Sequence, residues 1–109
     1  MEMKKGLFYT QIGKVDDKDS VTEYRKAVKG FLLGNGVGVY RDKSVYRFID
    51  IASGLSFCTC PKKSDIEVTL RVFLPTLEDH RKKLIYELQC LKFVGLPEWK
   101  DEDKTKENK

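Results

Sequence analysis

Cys58, Cys60, His80 and Cys90 are the side chains of this 109-residue sequence best suited to hold a soft metal ion, and a Cys3His set is a sensible zinc combination. Their spacing argues against it. The paired Cys-x2-Cys knuckles of structural zinc sites are absent, and on a strand Cys58 and Cys60 start from Cα atoms roughly 6.6 to 6.8 Å apart. Buried or half-buried thiols are the better reading, since free cysteine behaves as a small hydrophobe. No metal ligand and no cofactor is assigned.

His80 is the single histidine and stands in Asp79-His80-Arg81-Lys82-Lys83, with Tyr86 one or two helical turns on. On one helix face these would gather acid/base and cationic groups, as a metal-independent ribonuclease could use. Small basic α+β bacterial toxin ribonucleases offer an architectural analogy and no more. Gly34-Asn35-Gly36-Val37-Gly38 looks like a phosphate cradle but fits neither the dinucleotide fingerprint nor the P-loop. It reads as a helix stop and strand entry.

The cations Arg25, Lys26, Lys29, Arg41, Lys43, Arg47, Lys62 and Lys63 are interleaved with Tyr24, Tyr40 and Tyr46. Lys and Arg neutralise phosphates and exposed rings stack on unpaired bases, so the combination suits a modest nucleic-acid surface. The charges are nevertheless scattered, and ordinary solvated faces also explain them. Residues 1 to 63 carry 12 Lys/Arg against 7 Asp/Glu, residues 64 to 98 carry 5 against 6, and the rest 4 against 4. The positive excess of the whole chain, +4, therefore lies in its N-terminal part.

The length fits one domain with one modest core. No apolar run approaches the roughly 18 to 20 residues that cross a bilayer, and no export signal opens the sequence. With an odd number of cysteines, this points to a cytoplasmic protein with reduced thiols and no membrane partner.

The expected fold is α+β, an antiparallel β-meander of four to five strands with one helix before it and one after. Leu7 to Ile12 reads as a strand ended by Asp16-Asp17-Lys18-Asp19. Ser20-Val21-Thr22-Glu23 has the form of a capping box, and Val21, Tyr24, Val28 and Phe31 or Leu32 recur at helical spacing, predicting a helix over about 20–33. Strands follow over Val37 to Tyr40, Val45 to Ile51 and Leu55 to Cys60.

A three-residue loop Ala52-Ser53-Gly54 would pair Ile51 with Leu55 and Ile49 with Phe57. That leaves Tyr46, Phe48, Ser56, Cys58 and Cys60 on a second, less apolar face. Ile66 to Leu74 reads as a strand, because Pro75 opposes a continuous helix and Val68, Thr69 and Val72 are weak helix formers. Ser64-Asp65-Ile66-Glu67, a second capping box, is the argument for a helix there instead.

A final helix over about 76–93 carries the apolar stripe Leu77, Leu84, Ile85, Leu88 and Leu91, with Arg81, Lys82 and Lys83 on its wet side. The domain is placed at residues 1–98, and 99–109 is a charged tail expected to be disordered.

The stretch Tyr46-Arg47-Phe48-Ile49-Asp50-Ile51-Ala52-Ser53-Gly54-Leu55-Ser56 resembles a hairpin common in small accessory proteins of phages and integrated mobile elements. The resemblance implies a small non-enzymatic protein that docks onto and inhibits or modulates a host macromolecule, with anti-CRISPR-type inhibitors of nucleoprotein complexes as one example. The contact surface is then expected at Arg41, Lys43, Tyr46, Arg47, Phe48, Lys62 and Lys63. Direct nucleic-acid binding is the alternative and a ribonuclease the third. A half-apolar second sheet face leaves room for a homodimer.

Overall fold

A computed structural model describes residues 2–100. Five strands run in chain order across one antiparallel sheet: β1 Lys4–Val15, β2 Val21–Gly34, β3 Val37–Asp42, β4 Val45–Asp50 and β5 Leu55–Cys60. A 3-10 turn at Lys63–Asp65 leads into α1, Ile66–Arg81, and then α2, Leu84–Val94. The α+β class and the meander are as expected. Both helices follow the sheet, so the helix expected over 20–33 is a strand.

Non-local pairing decides that segment. β2 pairs with β1 along its length, from Lys4 opposite Leu32 to Val15 opposite Val21. The loop between them is held by Asp16, whose Oδ1 accepts from the backbone N–H groups of Lys18 and Ser20 at 2.8 and 2.9 Å. Ser20 thus closes a hairpin instead of capping a helix. At the other end Asn35 and Gly36 both take positive φ, 56° and 73°, the geometry of a two-residue hairpin turn. The glycine-rich run is that turn, and no helix stops there.

The segment 66–74, expected as a strand, forms the first half of α1. Ile66, Leu70 and Leu77 are buried on one side of it, a spacing that only a helix gives. Pro75 is tolerated inside the helix because it lies on the exposed side, where water can serve the carbonyl its missing N–H leaves unpaired. The N-cap of this helix is Asp65 rather than Ser64, and the Asp65 side chain makes no capping bond. The expected single helix over 76–93 is broken at Lys83, whose φ and ψ of −88° and 144° are extended.

The main core lies between α1 and one sheet face. Leu33, Val37, Val39, Phe48 and Cys60 meet Ile66, Leu70 and Leu77 there, with Tyr46, Phe57 and Cys58 packed at its margin. The β4–β5 register differs from expectation. Asp50 lies opposite Leu55 and Ile49 opposite Ser56, and the pairing then shifts so that Phe48 faces Cys58 and Tyr46 faces Cys60. Phe57 is the extra residue of that bulge. Tyr46, Phe48, Cys58 and Cys60 do share a face, but α1 covers it.

The opposite face curls in on itself. Phe8 is buried against Gly38, where an added Cβ would come within 2.8 Å of its ring, beside the fully buried Ile49. β1 then reaches the β4–β5 loop, with Gln11 N–H donating to the Gly54 carbonyl at 2.7 Å and Thr10 Oγ1 to the same oxygen at 3.1 Å. Gly54 has a φ of 69°, and a Cβ on it would collide with the ring of Phe93 from α2.

The chain closes beside its first hairpin. Arg25 N–H donates to the Pro97 carbonyl at 2.8 Å and Trp99 N–H to the Arg25 carbonyl at 2.7 Å, so 97–99 lies parallel to β2. Trp99, expected in the tail, belongs to the fold and meets Tyr24 edge-on at 5.1 Å between ring centres. The rest of the expected disordered tail, from residue 101, lies outside the described residues. Among the described residues no helix is long and apolar enough to cross a membrane.

Candidate functional site

Two places gather polar side chains. The first is the junction of the β4–β5 loop with the two helices, built around buried Asp50. Its Oδ1 accepts from Arg81 Nη2 at 2.7 Å and Nε at 3.2 Å, and its Oδ2 from Ser53 Oγ at 2.7 Å. Tyr86 OH donates to Oδ1 at 3.4 Å. Arg81 also donates to the carbonyls of Asn35 and Gly36, at 2.6 and 3.3 Å, tying the end of α1 to the β2–β3 turn.

Arg81 was expected on the wet side of its helix, but it is an internal clamp. Burial opposes its charge, yet the hydrogen bonds and charge of Asp50 outweigh burial and raise its pKa above the ordinary value. Burial, a contact with Cys90 and the nearby Asp50 raise the Tyr86 phenol as well, so it stays a neutral donor. A cavity of about 200 Å³ opens beside these groups, with His80 at its wall. Arg81 and Tyr86, two of the side chains expected beside His80, are both hydrogen-bonded to Asp50, and Tyr86 and Asp50 line the cavity together with His80.

The cysteines form no cluster with other ligands: among the described residues no group of three or more His, Cys, Asp or Glu could hold a metal. Burial, and then Cys60, push the Cys58 thiol up to about 11. Burial also raises Cys60, whose thiol donates to the Lys62 carbonyl at 3.4 Å.

The second place is the open end of the curled sheet face. Pairing puts Thr10 opposite Lys26 and Ile12 opposite Tyr24, while Tyr40 lies opposite Arg47. These strands curve toward one another and enclose a cleft of about 380 Å³. Lys14, Lys26 and Arg47 line it from three strands, Tyr40 from a fourth, and Asp42 is the one carboxylate in its wall.

Arg47, Lys14 and Tyr40 are held by neighbours. Arg47 Nε donates to Asp42 Oδ2 at 2.9 Å and its Nη1 reaches Ser56 Oγ at 3.5 Å. Lys14 Nζ sits 4.9 Å from the centre of the Trp99 ring. Tyr40 packs edge-on against Phe8 at 6.3 Å, and burial, then Asp42, raise its phenol, keeping it protonated. The cleft therefore offers three cations, one anion and an aromatic hydroxyl on a hydrogen-bonded sheet.

The residues expected to form one contact surface divide between two sides of the sheet. Phe48 is 0% exposed and belongs to the core. Tyr46 packs at the core margin with Arg41 5.7 Å above its ring, and Lys63 lies 4.9 Å from Phe31 on the same side. Lys43 takes a positive φ in the β3–β4 turn, and Lys62 precedes the 3-10 turn. Arg47 alone of that set enters the cleft.

Lys14 was missed because it lies in a strand end with no motif, and Tyr40 and Lys26 were noticed only as scattered members of a charge pattern. The signal that would have joined them is Asn35-Gly36, which makes β2 a strand and puts Lys26 on the face of Tyr40. No family model, curated protein or solved structure matches the chain.

Proposed function

We propose that this chain is a non-enzymatic binding protein whose curled sheet face takes a single strand of nucleic acid. The observation that supports it is the convergence of Lys14, Lys26 and Arg47 with Tyr40 in one cleft, from four different strands. Cations neutralise phosphates and release their counterions, and an aromatic group offers a base a surface to stack on. A concave cleft of this size receives an extended strand, whereas a duplex is too broad to enter.

This reading replaces the contact surface expected from the Tyr46 to Ser56 resemblance. An inhibitor docking through Phe48 would need a side chain that the core encloses. A nucleoprotein partner fits the cleft only through its nucleic-acid strand.

The test is fluorescence anisotropy with labelled single-stranded and duplex oligonucleotides across a salt series. Three phosphate contacts give a slope of log affinity against log salt of about −2 for a single strand. Lys26→Ala is expected to reduce that slope by about 0.7, and Asp42→Ala to tighten binding by freeing Arg47. Binding that ignores salt, or that survives the combined Lys14→Ala, Lys26→Ala and Arg47→Ala change, refutes the proposal.

A further inference from the structure

Leu84, Ile85, Leu88 and Leu91, expected to seat the last helix in the core, face outward, and the side of α2 turned to the body carries Tyr86, Gln89 and Phe93. A packed core would fill the middle of that row with an apolar side chain. Gln89 is half-buried there instead, and among the described residues its amide has no hydrogen-bond partner. A half-buried carboxamide with neither donor nor acceptor engaged costs free energy that the polar edge of a ligand would return.

Gln89 faces the cavity of about 200 Å³ between α1, α2 and the start of β5. Leu55, Phe57, Phe73 and Leu77 give it apolar walls. Its one carboxylate, Asp50, is balanced by Arg81 at 2.7 Å, so no unpaired acid stands in the wall. Thr76 and His80, one helical turn apart on α1, stand at the exposed mouth, and among the described residues their side chains have no hydrogen-bond partner either.

We propose that this cavity binds one neutral, planar nitrogen heterocycle of the nucleobase kind. Its size sets the first limit. A cavity of about 150 Å³ lined by aliphatic and aromatic side chains takes benzene, so this one holds a substituted single ring or a small fused pair. Its walls set the second, because apolar surface does not replace the hydration of phosphate, carboxylate or ammonium groups. Gln89 sets the third. A carboxamide presents a donor and an acceptor side by side and matches a ring edge that does the same, while Phe57 and Phe73 supply aromatic surface for the ring faces. A hydrocarbon ring would leave Gln89 unpaired.

Ser56 lines both this cavity and the cationic cleft, and Arg47 reaches its Oγ at 3.5 Å from the cleft side. Two sources therefore present the same ring: a free nucleoside, or one base of a strand lying in the cleft. The cavity needs no phosphate contact, so its binding stands apart from the cleft's.

The experiment is titration of the full 15N-labelled chain with adenosine, guanosine, cytidine and uridine, followed by NMR at the backbone amides of positions 80 and 89. At least one nucleoside is expected to saturate with a roughly millimolar dissociation constant, as befits a ring-sized ligand. Salt leaves it unchanged because a nucleoside carries no charge. Gln89→Leu is expected to weaken nucleoside binding at least about tenfold and to spare phenol, a ring without the paired edge. Thr76→Trp, at an exposed position, is expected to block both, and circular dichroism confirms that each variant is folded.

No saturable shift with any nucleoside up to about 10 mM overturns the proposal. So does a Gln89→Leu affinity within about twofold of the parent chain's, or a response that Thr76→Trp leaves intact. One abasic position that weakens an oligonucleotide for the parent chain but not for Gln89→Leu identifies the strand as the source of the ring. Equal effects, with nucleosides bound, identify the free heterocycle. Salt-dependent oligonucleotide binding without nucleoside binding sinks the cavity proposal alone, and the reverse sinks the cleft alone.

Discussion

Arg81→Met removes the cation from a carboxylate that is almost wholly buried. The Asp50 side chain is 4% exposed and that of Arg81 17%, and two of the Asp50 hydrogen bonds come from the guanidinium. Breaking one partner of a buried pair costs 3 to 5 kcal/mol, roughly. Asp50 keeps Ser53 and Tyr86 as donors, and the carbonyls of Asn35 and Gly36 can turn to water, which places the loss near the lower end, about 3 kcal/mol.

With a urea dependence of about 2 kcal/mol per molar for a chain of this size, the unfolding midpoint falls by about 1.5 M. Asp50→Asn combined with Arg81→Met removes both charges, and the double variant is expected to be about 2 kcal/mol more stable than the sum of the single losses implies. Urea unfolding followed by tryptophan fluorescence and by circular dichroism measures all three variants. A loss under about 1 kcal/mol for Arg81→Met, or strict additivity in the cycle, would show that the pair does not hold α1 to the sheet.

Gly54→Ala strains a positive φ and drives a methyl into the Phe93 ring, so a loss of about 3 kcal/mol is expected in thermal unfolding. Adding Phe93→Ala should recover part of it, and full additivity would contradict the contact. The Cys58 thiol, pushed up to about 11, stays protonated through the neutral range. Its alkylation by iodoacetamide at pH 8 should be about a hundredfold slower than that of an unperturbed cysteine and should climb as pH approaches 11. Rapid modification of Cys58 at pH 8, read by peptide mass spectrometry, would count against its burial. Pro75→Ala restores a helical N–H on the exposed side of α1 and is expected to stabilise by about 2 kcal/mol, a rise of about 1 M in the urea midpoint; a loss would mean that the proline sets the direction of the Leu77–Arg81 turn.

The three short strands were legible because their alternation and their turns agree: Val37 to Tyr40, Val45 to Ile51 and Leu55 to Cys60 each run between turn residues. The two misread segments share a cause. Val21 to Gly34 and Ile66 to Leu74 each fit a helical and an extended pattern, and what separates the patterns is a partner far away in the chain. β2 is a strand because β1 lies alongside it, and 66–74 is a helix because Leu33, Val39 and Phe48 supply an apolar floor for Ile66 and Leu70.

The capping-box pattern misled at Ser20, since it rests on four residues that also suit a turn. The Leu84 to Leu91 stripe was recognised as apolar, but periodicity reports only that a face seeks cover, not what covers it. The cleft was hidden for a related reason. Its cations come from strands far apart in sequence, and only the curl of the sheet brings them together.

The short bridge at residues 97–99 also bears on how the molecule is made. Arg25 holds the Leu96 carbonyl with its side chain across 71 residues of chain, and the Pro97 and Trp99 bonds use its backbone. The β1–β2 hairpin is made before residues 97–99 and can zip locally, but one flank of β2 gets its neighbour only when that segment arrives. The hairpin therefore waits, half dressed, while the 71 residues from Arg25 to Leu96 are added. Folding is expected to finish with a slow closing step that truncation before Pro97 abolishes, leaving an aggregation-prone edge at Arg25.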